Sequence, residues 1–542
     1  MTKFIENLVF GNRKVVVVLF ILLTIFMVYQ ASNLKIDAGF AKMLPLEHPY
    51  MKTYLEYRDA YGGANKVVIA IRNPDGDIFT PEFFDVLARV TDDVFFIPGV
   101  DRTRVMSLYT PNVRFTEVVE DGISGGNVIP DDFEPNAEGL AKVRENILKS
   151  NYMGRLVAND FSAAIVVAEL LEIDPNTGEK LDFIKVASLL EEVRENYSSD
   201  EAGAVLDYHI IGFAKVIGDI ASGVARVVLF FLIAFAITAV FVFVYSQNLK
   251  LTLIIVGCAL IAVIWQLGLL PLLGFGIDPM SILVPFLIFA IGVSHGVQMV
   301  SAFRAEVFDS PNSLDAARST FRRLLIPGGI ALLSDTIGFI TIMLIKIRMI
   351  QEMAITASIG VAVIILTDLI LVPVLLSYVK LDQAYQQKLF VRAEKMAPLW
   401  SALSKVTTRK TAATIVAVAS LLFVVGGWKA TQIKIGDLHA GVPELRATSQ
   451  YNMDTDVITS HFSIGVDTIT TIFESHPEAC TEHAIMSVID DFEWHIRNVP
   501  GVQSVFGIGA VAKIINAGWN EGSLMWRELP RNTSTMAQAV TY

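Results

Sequence analysis

The hydrophobic positions of this chain gather into seven long runs, separated by stretches of mixed character. The runs cover roughly residues 15–31, 227–246, 251–274, 282–302, 324–344, 353–378 and 411–428. An apolar run of about 18 residues or more, coiled as a helix, matches the ~30 Å hydrocarbon layer of a bilayer. Seven membrane-spanning helices are therefore expected. The first run, beginning Val15-Val16-Val17-Val18-Leu19-Phe20, follows Arg13-Lys14 as a signal peptide would. It is too long for a signal-peptide core and no small-residue cleavage site follows it, so it reads as a retained anchor.

Between the runs lie two long segments, 32–226 and 429–542. In the first, Lys66-Val-Val-Ile-Ala-Ile-Arg72 and Ala163-Ala-Ile-Val-Val-Ala-Glu169 read as buried strands. Residues 180–196 carry apolar positions at helical spacing. A mixed α+β domain is the expected result. Residues 379–410 form a basic amphipathic connector, expected to lie along the membrane surface. Phe95-Phe96 and Trp494 are expected in the core of these segments.

Charge sets the orientation. With the N-terminus inside, the inner segments hold fifteen Lys and Arg, from Lys3, Arg13 and Lys14 to Arg409 and Lys410. The short outer loops hold two, Lys346 and Arg348. Positive residues stay on the cytoplasmic side, so both long segments are expected outside. The organisation is then 1–31 as tail and first helix, 32–226 as the first outer domain and 227–378 as a five-helix bundle. It continues with 379–410 as connector, 411–428 as seventh helix and 429–542 as a second outer domain.

Composition narrows the class. The chain has 542 residues, 53% hydrophobic and 18% charged, against about 25% charged in soluble proteins. A soluble enzyme could not hide so much apolar surface. The net charge of −12 gives no reason to expect nucleic-acid binding. Two cysteines, Cys258 and Cys480, exclude a disulfide scaffold and a thiolate zinc site. No phosphate-binding loop occurs, so ATP drive finds no support. No cofactor or metal is expected.

The chain also repeats itself. Leu34-Lys35-Ile36-Asp37 is echoed by Ile433-Lys434-Ile435-Gly436, and Ile97-Pro98-Gly99-Val100 by Val499-Pro500-Gly501-Val502. The offsets are close to 400 residues, as is that between the first and seventh runs. Such self-similarity indicates a duplicated unit. The second copy breaks off at Tyr542, so a fragment of a twelve-helix protein is expected, with a naturally short variant as the alternative.

One helix, an outer domain and five helices, duplicated, resembles the resistance–nodulation–division (RND) superfamily. Within it the chain is most similar to the MMPL-type exporters of lipids and hydrophobic compounds, related to sterol-sensing-domain proteins. Ala290-Ile-Gly-Val-Ser-His-Gly-Val-Gln-Met299, followed by Ser301-Ala-Phe-Arg-Ala-Glu306, resembles the family's fourth-helix pattern. Leu333-Ser-Asp-Thr-Ile-Gly-Phe339 resembles its Thr-Thr-x-x-Gly-Phe pattern, with Asp335 in place of one threonine. The resemblance implies a polytopic α-helical membrane protein with α+β extracytoplasmic domains, an RND-type repeat whose second copy is incomplete. Where the family carries a proton-relaying carboxylate in the fourth helix, this chain has Ser294-His295.

Ionisable groups inside a membrane are costly and usually functional. His295, Asp335 and Asp368 each fall within about three residues of the centre of their runs, within ~5 Å of a common depth at ~1.5 Å per residue. They are read as a proton relay, His295 paired with Asp335 and Asp368 as helper, or as a static pair that locks the bundle. Gly292 and Gly296 form a small-xxx-small face for close helix approach. Ser294 and Gln298 share another face, lining a polar path or bonding across helices. Gly292-Val-Ser-His-Gly296 also matches a nucleophile elbow, but it lies within an apolar helix, where adjacent Ser294 and His295 cannot face each other. Pro285, Pro327 and Pro373 are expected to kink their helices.

The expectation is a proton-driven secondary transporter, not an enzyme, exporting a lipid or other hydrophobic compound from the inner membrane of a bacterium. The alternative is a non-transporting lipid sensor or scaffold of the same fold. Expected partners are the hydrophobic substrate, membrane lipids, and a further copy of the chain or accessory envelope proteins.

Overall fold

The computed structural model describes residues 2–541 except 36–39, 62–64, 120–121, 176, 180, 201–202, 204, 279, 435, 437–440, 443–444 and 465–468. Ile36, Asp37 and Ile435 of the repeated motifs lie outside the described residues. In chain order, α1 (Arg13–Ala31) leads to β1 (Lys66–Arg72), α2 (Pro81–Phe96), β2 (Arg114–Val119), β3 (Gly122–Asn127) and α3 (Ala137–Lys149). Then come β4 (Ala163–Glu169), α4 (Phe183–Ser198) and β5 (Asp207–Gly212). A helical run follows: α5 (Val224–Ser246), α6 (Leu249–Leu272), α7 (Val284–Glu306), α8 (Ser313–Ile342) and α9 (Arg348–Leu366). α9 continues through a π-helical turn, Thr367–Leu371, into a last turn, Val372–Leu376. The chain proceeds to α10 (Gln383–Ser404), α11 (Arg409–Ala430), α12 (Gln450–His461), α13 (His483–Arg497), α14 (Ile508–Trp519) and α15 (Thr533–Thr541).

The chain forms two compact units. One takes residues 1–56 and 222–436, the other 57–221 and 437–542. The first is a helical bundle. Among the described residues seven helices are long and apolar enough to cross a membrane: α1, α5, α6, α7, α8, α9 with its continuation, and α11. Asn248 caps α6 by accepting from the amides of Lys250 and Leu251, and Asn312 caps α8 by accepting from that of Asp315. Each satisfies donors that the first helical turn leaves free. α6 and α9 bury much of their surface, while α1, α5, α8 and α11 expose most of their apolar side chains. So large an apolar exterior calls for hydrocarbon or another apolar surface against it.

Pro285 departs from expectation. It occupies the first turn of α7, where a missing N–H costs no hydrogen bond, so it starts the helix and need not bend it. Pro373 likewise opens the short turn after the π segment, and Pro327 lies inside α8.

The second unit is built on a three-stranded antiparallel sheet in the order β4-β1-β5. Ile69 of β1 lies opposite Val166 of β4 and Ile210 of β5. β1 and β4 are the two strands expected from their apolar runs, and α4 covers most of the helix expected at 180–196. Thr80 caps α2 by accepting from the amide of Phe83, with Pro81 at the first helical position. That cap sets Phe83, Phe84 and Leu87 into the core, each fully buried and each contributing about 1.5–3 kcal/mol. α12 packs on β5, so this unit draws on both segments outside the apolar runs. Phe95 is partly buried against the core. Phe96 and Trp494, expected there too, are 65% and 62% exposed; Phe96 ends α2, where the chain turns off the sheet.

Two features recur near the 400-residue offset. Helices Pro49–Tyr61 and α12 correspond in position, as do α2 and α13. After α2 and α13, Gly99 and Gly501 take φ of 85° and 93°, a left-handed turn that glycine adopts without steric cost.

Candidate functional site

The centre of the bundle is a seam of three helices, α6, α7 and α9. Small residues bring them close. A Cβ placed on Gly292 of α7 would lie 3.1 Å from the Ala259 Cβ of α6, and one on Gly296 would lie 3.1 Å from Ile255 Cγ2. A Cβ on Gly360 of α9 would meet Ile288 Cδ1 at 2.5 Å and Gln266 Cγ at 3.2 Å. Backbones approach this closely only where side chains are absent.

Into this seam the π-helical turn delivers Asp368. The residue is fully buried, and its Oδ2 lies 3.8 Å from the Cβ position of Gly292. Neither carboxyl oxygen has a hydrogen-bond partner among the described residues. A single π turn inside an α-helix frequently marks a functional position. Here the widened turn coincides with Asp368, the acidic residue farther along the helix from Glu352. Seven residues along α6 from the Ala259 contact lies Gln266, also fully buried, with neither amide atom bonded among the described residues. At ~1.5 Å per residue the two polar groups stand about 10–12 Å apart along the seam.

The other expected site residues lie elsewhere on the bundle. His295 is half-buried, and its Nδ1 donates to the Ile291 carbonyl of its own helix at 3.1 Å. Asp335 on α8 is exposed, as are Ser294 and Gln298 on α7. No hydrogen bond or ion pair joins His295, Asp335 and Asp368 among the described residues. The expected pairing of His295 with Asp335 is therefore not formed in this structure, and Asp368, expected as helper, is the member of the three that the core encloses. Depth along the chain put them level; which face each helix turns inward depends on tertiary packing.

Sequence reasoning missed a second polar cluster. Lys42 Nζ lies 2.6 Å from Glu352 Oε2 in a buried ion pair, and Arg348 Nε reaches Glu352 Oε1 at 3.1 Å. Nearby, Asp278 is 2% exposed and accepts from the amides of Met280 and Ser281 at 2.8 Å. Burial raises the Asp278 carboxyl above its ordinary range; the Ser281 and Met280 hydrogen bonds oppose this and the Glu352 charge adds to it. Glu352 stands one residue before the sixth apolar run, which is why a hydropathy reading passes it over.

The sheet unit has its own buried centre. Asp454 of α12 is fully buried and accepts from His209 Nδ1 at 2.9 Å, the Ile210 amide at 3.1 Å and Gln450 Nε2 at 2.8 Å. Arg194 completes the ring at 2.5 Å. Burial would raise this carboxyl, but the His209 hydrogen bond, the Arg194 charge and the Ile210 amide outweigh it and hold the group below its usual range.

Seven apolar helices among the described residues, three of them enclosing buried polar groups, define a polytopic α-helical membrane protein. The sequence pattern of the MMPL family matches residues 129–419, more than half of the chain. The chain belongs to the MMPL family, and membership indicates a transporter-type membrane function. It is also similar to a membrane protein of Methanocaldococcus jannaschii, 23% identical over 387 residues, which cover 68% of this chain and 91% of that protein.

Proposed function

We propose that this protein is a proton-coupled secondary transporter that moves a lipid or other hydrophobic compound outward from the cytoplasmic membrane of a bacterium. The observation that carries the reading is Asp368, a carboxyl enclosed at membrane depth with no hydrogen-bond partner among the described residues. A group left unpaired at such cost is retained for what it does, and a carboxyl can take up and release one proton per cycle. His295 and Asp335 serve as flanking relay groups. Gly292 and Gly296 hold α7 against α6, and Ser294 and Gln298 line a polar face.

The orientation follows the placement of Lys and Arg, with the N-terminus in the cytoplasm and the sheet unit outside. The paired helices and left-handed glycines at the 400-residue offset support a duplicated architecture. Hydrophobic cargo suits the apolar exterior of the bundle and the family resemblance.

The test is proton uptake in proteoliposomes, read with a pH-sensitive dye inside. Asp368→Asn should lower uptake about tenfold or more, the scale on which a positioned proton-transfer group acts, while circular dichroism stays unchanged. His295→Ala and Asp335→Asn should give smaller losses. Wild-type uptake in Asp368→Asn would overturn the coupling and leave the lipid-sensing or scaffold reading in its place.

A further inference from the structure

A groove runs along the membrane face of the bundle beside α1. Its middle part has a volume of about 410 Å³ and is lined by Val17, Ile21 and Thr24 of α1, Ile261 of α6, and Leu371 and Leu375 from the end of the α9 continuation. The floor is firmly set. Phe20 stacks on Trp265 with ring centroids 5.1 Å apart, and Trp265 Nε1 donates to Thr24 Oγ1 at 2.9 Å. Thr24 in turn donates to the Phe20 carbonyl at 2.7 Å, so the lining presents almost no free polar group.

Toward the N-terminal end of α1 a second hollow of about 500 Å³ shares Val17 and Leu375 with the first and ends at Lys14 and Tyr378. The Arg13 guanidinium lies over the Tyr378 ring, 4.4 Å from its centroid, and donates to Ser377 Oγ at 3.3 Å. Lys14 is exposed. Among the described residues no carboxylate lies within ion-pair distance of Arg13 or Lys14. The groove thus joins a long apolar trough to two uncompensated positive charges at one end, where the helix leaves the hydrocarbon.

We infer that this groove is a binding site for a phospholipid of net negative headgroup. One acyl chain lies along Val17, Ile21 and Leu375, and the phosphate meets Lys14 with Arg13 beside it. The apolar part excludes water as any hydrocarbon contact does. The charged end supplies the selectivity, since a phosphate takes short charge-assisted hydrogen bonds from both side chains. A zwitterionic headgroup carries the same phosphate together with its own cation, so its attraction to Lys14 is weaker. Arg13 is held in place by Tyr378 and Ser377, which leaves Lys14 as the freer arm that closes on the headgroup.

The full chain, released from nanodiscs containing equal amounts of dioleoyl phosphatidylglycerol and dioleoyl phosphatidylcholine, can be weighed by native mass spectrometry. The wild type should retain phosphatidylglycerol about fivefold over phosphatidylcholine, as one basic residue near the bilayer surface provides. Lys14→Gln should bring the two lipids close to parity, and Lys14→Arg should keep the preference. Leu375→Trp, which fills the trough, should lower retention of both lipids. Ile21→Trp, on the exposed wall, does the same without burdening the core. Equal retention of the two lipids by the wild type would overturn the headgroup assignment. Undiminished retention in both tryptophan variants would overturn the groove. A disulfide forming between Ile21→Cys and Val418→Cys of α11 would show that a helix occupies the trough, and would overturn the lipid reading as well.

Discussion

His209 Nδ1 lies 2.9 Å from Asp454 Oδ1, although 245 positions separate the two residues in the chain. With Arg194 and the Ile210 amide on the same carboxylate, this contact fastens α12 to β5. Removing one member of a buried, hydrogen-bonded charge pair leaves the other charge uncompensated. Asp454→Asn should therefore destabilise the sheet unit by about 3 kcal/mol. Thermal unfolding of the full chain in detergent, followed by limited proteolysis at α12, would register the loss. Unchanged protection of α12 would show that the contact contributes nothing.

The same carboxyl sets a pH dependence. Its folded-state value lies below the usual range, hence below the unfolded value of about 3.9. The folded state then binds fewer protons than the unfolded one. The contribution is fully present above pH ~4 and is lost as pH falls through the folded value. Unfolding temperatures measured from pH 7 down to pH 2 should fall more steeply for wild type than for Asp454→Asn.

Asp278 should behave in the opposite sense. Burial raises its carboxyl, so the folded state holds the proton more tightly than the unfolded chain does. Its penalty develops as pH rises from about 3.9 through the folded value. Asp278→Asn keeps the cap on the Met280 and Ser281 amides and removes the charge. Its unfolding temperature should exceed that of wild type at pH 7 and converge with it near pH 3.

Two glycines in the membrane helices should respond differently to alanine. A Cβ at Gly268 would lie 2.5 Å from the Met27 carbonyl oxygen and 2.9 Å from its Cα, so α1 must move away from α6. A Cβ at Gly338 meets nothing within 4 Å. Gly268→Ala should cost about 1–3 kcal/mol, whereas Gly338→Ala should gain about 0.5–1 kcal/mol from lower backbone entropy in the unfolded chain. Differential scanning fluorimetry of the two variants would separate them.

Gln266 offers a test of stability against function. Neither amide atom is bonded among the described residues, and each unpaired buried polar group costs about 1–3 kcal/mol. Gln266→Leu should raise the unfolding temperature. If the amide serves proton movement to Asp368, the same variant should also lower dye-reported proton uptake; a more stable protein with undiminished uptake would make Gln266 a bystander.

Much of the fold was legible in the sequence because hydrocarbon imposes one rule, continuous apolar length. The strands at Lys66–Arg72 and Ala163–Glu169 were legible for a related reason, since both faces of each are covered. The site was legible only as a set of candidates. Asp368, Asp335 and His295 look alike in a hydropathy profile. What distinguishes Asp368 is the π turn and Gly292 of α7 opposite it, a contact made between distant parts of the chain. The Asp454 ring was invisible for the same reason: its members are scattered from Arg194 to Asp454, and none carries a local motif.

The division of the sheet unit between residues 57–221 and 437–542 also bears on how the protein is made. Synthesis proceeds at about 5–20 residues per second, so α12 emerges roughly ten to fifty seconds after β5. During that interval β5 and Arg194 stand without the Asp454 carboxylate that pairs with them, and the bundle helices α5 to α9 are made first. Closure of the sheet core is therefore a late event in biogenesis, and the nascent chain presents an open apolar face until α12 arrives.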